Sequence, residues 1–151
     1  MRRVLVGIAL LLLAGAAVAQ SKLPVFVNAS ISSDDPDGSS LTFELKEAIR
    51  GSHGYRLIED SAKYPYIKIS LSTVPLRQAG RTTGTIYSYV IAYDRADLPL
   101  GGYLIRSGVQ SCPSPELKVC ARDTLANVEL AATTVRDREP SLMRTLENKT
   151  H

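Results

Sequence analysis

Two cysteines, Cys112 and Cys120, lie eight residues apart across Pro113 and Pro115, and they are the only thiols in the chain. An even cysteine count in an exported protein predicts a disulfide. The spacing is not the Cys-x-x-Cys of a redox pair, and no His or further Cys lies near enough to complete a metal site. The pair is therefore read as structural, fixing where the last helix starts.

The remaining reactive residues are scattered. His53 stands in a Ser-His-Gly turn and His151 at the end of the chain. A multi-histidine metal site cannot be assembled from them, and no Gly-x-Ser-x-Gly elbow accompanies His53. Asp34, Asp35 and Asp37 beside Gly38 suggest calcium, but the spacing and the closing bidentate Glu of an EF-hand are missing, so they read as a turn and helix cap. Glu59 and Asp60 are adjacent, and on a strand they would point to opposite faces rather than flank one glycosidic bond. No cofactor or metal is expected.

Tyr87, Tyr89 and Tyr93 share one parity of a strand with Ile91, while Ile86, Ser88, Val90 and Ala92 occupy the other. Either parity is apolar enough to be the core. If the tyrosines face solvent, they form an aromatic platform with hydroxyls free to hydrogen-bond. Arg77 and Arg81, on the neighbouring loop, add the other residue type enriched at binding hot spots. Tyr87, Tyr89, Tyr93, Arg77 and Arg81 are the candidate binding surface.

The elements that must position these residues follow from periodicity. Residues 1–19 have the Arg-Arg, leucine and small-residue pattern of a signal peptide, which places the mature chain in the periplasm or outside the cell. No Cys follows Ala19, so a lipoprotein anchor has no acceptor. The formal charge is only +3, and two of its arginines leave with the leader. That is too little for nucleic-acid binding. No later apolar run is long enough to span a membrane.

Residues 20–140 are expected to form one domain, with 141–151 as a mobile tail. A strand is expected over Leu23–Ile31, a helix over Leu41–Arg50 capped by Ser39 or Ser40, and a strand over Tyr55–Asp60. Ile67, Ile69 and Leu71 alternate with Lys68, Ser70 and Ser72 in the clearest strand, which predicts a sheet with one buried face. A polar loop over Leu76–Gly84 leads to two further strands. A long helix then carries Leu117, Ala121, Leu125, Val128, Ala131 and Val135 on one stripe and ends at Pro140. The result is an α+β two-layer sandwich: a mixed, mostly antiparallel sheet of about five strands in the order β-α-β-β-β-β-α, with both helices on one face.

The stretch LTFELKEAIRGSHGYRLIED followed by YPYIKISLSTV resembles, in layout, small periplasmic α/β domains of the lipopolysaccharide-assembly lipoprotein and TolB amino-terminal kind. The resemblance implies a periplasmic fold and carries over no functional residue. With no catalytic set in view, the sequence favours a binding or assembly module of the bacterial envelope over an enzyme, its partner an envelope protein or glycan. The competing expectation is a small secreted hydrolase whose site gathers distant residues such as His53 and Glu59.

Overall fold

Where the sequence alternates, strands form, and where the 3.6-residue stripe appears, helices form. The computed structural model describes residues 22–61, 65–94, 103–138, 140–141 and 144. The predicted leader lies outside the described residues, as does all of the predicted tail except Ser141 and Arg144. The elements run β1 (Leu23–Ile31), α1 (Pro36–Gly51), β2 (Tyr55–Leu57), β3 (Tyr66–Gln78), β4 (Arg81–Asp94), β5 (Tyr103–Pro113), a 3₁₀ turn (Ser114–Glu116) and α2 (Leu117–Arg138). The sheet order is β2-β1-β3-β4-β5. β1 is parallel to both of its neighbours, whereas β3, β4 and β5 form an antiparallel meander. Among the described residues no helix is long and apolar enough to cross a membrane.

The core lies between one face of the sheet and the two helices, which pack side by side. Val25 and Val27 of β1 and Ile67, Ile69 and Leu71 of β3 supply the sheet side. Leu41, Leu45 and Ile49 of α1 meet them, with Ala121, Val128, Ala131 and Val135 of α2. The α+β class and the shared face of the helices are as the periodicity predicts. Ile67, Ile69 and Leu71 point inward, and Leu125 packs against the same cluster.

Four boundaries differ from the sequence reading. Pro140, expected to end the last helix, is itself helical, as is Ser141. α1 begins at Pro36, not Leu41, because Asp35 is the cap: its side chain accepts from the Gly38 N–H at 2.9 Å, and Pro36 occupies the first turn, where no N–H is needed. β2 stops at Leu57. The predicted loop over Leu76–Gly84 is instead a tight turn at Ala79 and Gly80, both with positive φ (49° and 77°), between two long strands. Paired left-handed residues match the twist of the flanking strands, so polar residues on either side continue the ladder instead of leaving it.

Candidate interaction surface

Cross-strand pairing settles which parity of β4 is inside. Ile67 lies opposite Tyr93, Ile69 opposite Ile91, Leu71 opposite Tyr89 and Thr73 opposite Tyr87. Directly opposite residues share a face, so the buried isoleucines of β3 carry the tyrosines into the core with them. Tyr87, Tyr89 and Tyr93 are 0%, 4% and 1% exposed. The exposed tyrosine platform is therefore not formed, and the candidate surface on that parity is corrected. The Tyr87 hydroxyl donates to Gln110 Oε1 and lies 3.2 Å from Thr124 Oγ1. Burial raises its pKa, against the opposing effect of the Thr124 bond. The Tyr89 ring covers Gly108, where an added Cβ would come within 2.7 Å of the hydroxyl.

A single irregularity produces this parity. The ladder pairs Gln78 with Arg81 and Arg77 with Thr82, then shifts by one residue between Leu76 and Arg77. Continued without the shift, it would set Ile69 opposite Val90 and turn Ile86, Ser88, Val90 and Ala92 inward. A bulge of this kind reverses every side chain beyond it.

What faces away from the helices is the other parity. Val74 lies opposite Ile86, Ser88 opposite Val109, and Val90 between Ser70 and Ser107. Val74, Ile86, Val90 and Val109 are exposed, Val109 at 72%, and Leu104 continues the row at the far end of β5. Val74 and Ile86 are directly opposite, and Val109 lies on the diagonals of Ile86 and Val90, with Ser88, Ser107 and Ser111 set between them. The strip is aliphatic, set among serines. Lys68 reaches Asp94 across 3.6 Å at one end of it.

At the opposite end, Arg77 pairs with Asp34, and Arg81 is exposed at the start of β4. Asp34 also accepts from the Ser32 hydroxyl at 2.6 Å. That bond is the largest of the effects that lower its pKa, and the Arg77 charge acts in the same direction. Asp35 turns inward as the helix cap, and Asp37 accepts from the Ser114 hydroxyl at 2.7 Å. The three aspartates thus diverge to three separate partners. Among the described residues no group of three or more His, Cys, Asp or Glu could hold a metal ion.

His53 is exposed in the turn before β2, and Glu59 is exposed beyond it, accepting from Arg50 at 3.4 Å. Asp60 is exposed beside it. The Cys112–Cys120 disulfide is present, with Cα atoms 6.2 Å apart, and it ties the end of β5 to the first turn of α2. Tyr55 of β2 is buried, and its pKa is pushed up to about 12 by burial, with the Glu129 charge adding to it.

No protein family model matches this chain, and no curated protein matches it. Among solved structures it is similar to a PelC variant dodecamer from Paraburkholderia phytofirmans, at 16% identity over 72% of this chain and 85% of that one, with a TM-score of 0.41. A second PelC dodecamer from the same organism gives 15% identity over 70% and 82%, with a TM-score of 0.39. A neuraminyllactose-binding hemagglutinin homolog from Helicobacter pylori gives 12% over 60% and 62%, at 0.30. All three TM-scores lie below 0.5, so what this chain binds rests on its own residues.

Proposed function

We propose that this chain is an exported binding or assembly module of the bacterial cell envelope, and that it docks another envelope protein on the helix-free face of its sheet. The observation that carries this reading is the exposed aliphatic strip of Val74, Ile86, Val90 and Val109. Contiguous apolar surface on a folded domain marks an interaction site, because covering it removes ordered hydration. The leader-like residues 1–19 and the disulfide support an oxidising, extracytoplasmic setting.

A protein suits this strip better than a glycan does. The β4 tyrosines Tyr87, Tyr89 and Tyr93 are buried and cannot stack on sugars, and an aliphatic row offers no hydrogen bonds to sugar hydroxyls. A flat protein surface of similar composition would exclude water along the whole strip, with the serines meeting polar groups between the valines.

Val90 is the test position, since it is exposed and central on β4. The mature protein, immobilised and exposed to its own envelope extract, should retain a discrete protein partner. Val90→Lys should reduce that retention by about tenfold, equivalent to roughly 1.4 kcal/mol, while circular dichroism stays unchanged. Equal retention by both proteins, or retention of glycan alone, would overturn the reading.

A further inference from the structure

β5 ends the sheet, and among the described residues only β4 pairs with it. It is eleven residues long, whereas the opposite edge strand, β2, has three. Shortness is one of the devices by which proteins blunt a sheet edge, along with lysines, prolines and bulges. β5 has little of this protection. Arg106 is its one charged residue, it contains no lysine, and its proline is the last residue, Pro113. The irregularity against β4 falls at the Ile91/Ala92 step, which leaves Arg106 to Pro113 in regular register. An edge of this kind presents a row of backbone donors and acceptors whose fitting ligand is another strand.

We propose that this strand is β5 of a second copy, paired antiparallel about a twofold axis through Gly108, so that two sheets join edge to edge. A twofold interface requires the patch to complement itself. With Gly108 on the axis, Arg106 lies opposite Gln110 of the second copy, and Ser107 lies opposite its Val109. The strand's single cation meets a neutral amide acceptor rather than its own duplicate, and the Arg106–Gln110 contact occurs twice. Gly108 adds no side chain at the centre, where the Tyr89 ring already fills the helix side. The disulfide holds the end of β5 on α2, so the edge is organised before it pairs. The edge shares Val109 with the aliphatic strip, and pairing along it leaves Val74, Ile86 and Val90 uncovered for a different partner.

Sedimentation velocity of the mature protein over a dilution series is the direct test. A species of twice the monomer mass should dissociate on dilution. Val109→Lys puts a cation on the edge, as protected edges have, and should weaken the dimer by at least about tenfold without changing the melting temperature. Gln110→Glu retains an acceptor for Tyr87 and sets two carboxylates against two Arg106 side chains, so it should tighten the dimer several-fold. Combining it with Arg106→Glu opposes like charges and should reverse that gain. Val90→Lys should lose the envelope partner and keep the dimer. A monomer at every soluble concentration overturns the proposal, as does a dimer that Val109→Lys leaves intact or that Gln110→Glu fails to tighten.

Discussion

Asp35 holds its carboxylate inside the protein, with Oδ1 accepting from the Gly38 N–H at 2.9 Å and Oδ2 from the Thr85 hydroxyl at 2.6 Å. The first contact caps α1 and the second ties that cap to β4, so one side chain fixes the helix on the sheet. Gly38 has no room for more: a Cβ there would come within 2.1 Å of Thr73 Oγ1 and 2.4 Å of Asp35 Oδ2. The Thr73 hydroxyl is itself buried and has no hydrogen-bond partner among the described residues. The two threonines should therefore respond in opposite ways. Thr85→Val leaves a buried carboxylate oxygen short of a donor and should destabilise by about 1–3 kcal/mol, whereas Thr73→Val removes an unpaired hydroxyl and should be neutral or stabilising. Urea unfolding of the two variants measures the difference, and equal losses would show that Thr73 also serves Asp35. The capping role was hidden in the sequence because three aspartates compete for it within four positions, and only the packing of β3 and β4 selects Asp35.

At the scale of elements, the disulfide joins two pieces that would otherwise meet through a single turn, the end of β5 and the start of α2. Both sulfurs are buried, and α2 packs on β5 beyond them. Closing a loop this short removes a modest part of the unfolded chain's freedom, about 2–3 kcal/mol on the loop-entropy estimate. Replacing both cysteines with serine should lower stability by that amount, read from thermal melts with and without reductant. The wild type in reductant should melt with the double variant, and a reductant-insensitive melting temperature would remove the bond's stabilising role. The cysteine pairing was legible in the sequence, since the chain holds two thiols and each has one possible partner. The same holds for the α2 stripe and for the alternation of β3, where every second residue is polar. The β3–β4 turn was not legible, because residues that read as a polar loop are polar for the opposite reason: they continue two strands past the end of the core.

On the scale of the whole molecule, the burial of Tyr55, on the short edge strand β2, makes stability depend on alkaline pH. The folded state keeps the Tyr55 proton up to about 12, while the unfolded chain releases it near the ordinary value of 10.0. Between those values the native form binds more protons than the unfolded one, so stability falls as pH rises from 10 towards 12 and levels off above. Tyr87, whose pKa burial also raises, contributes with the same sign. Melting temperatures across this range should decline for the wild type, and Tyr55→Phe should flatten the decline. An unchanged slope in that variant would mean that Tyr55 titrates normally.

The class of fold, the helices and strands in order, the inward face of β3 and the cysteine pair were all determined by the sequence itself, because each depends on local periodicity or on a simple count. Which face of β4 meets solvent was decided only by the tertiary structure. β4 is apolar on both parities, so nothing within it distinguishes Tyr87, Tyr89 and Tyr93 from Ile86, Ser88 and Val90. The choice is made by one bulge between Leu76 and Arg77, which sets the register against β3. With side chains alternating every residue, a shift of one position exchanges core for surface along the whole strand. That shift encloses the tyrosines and leaves the valines in solvent.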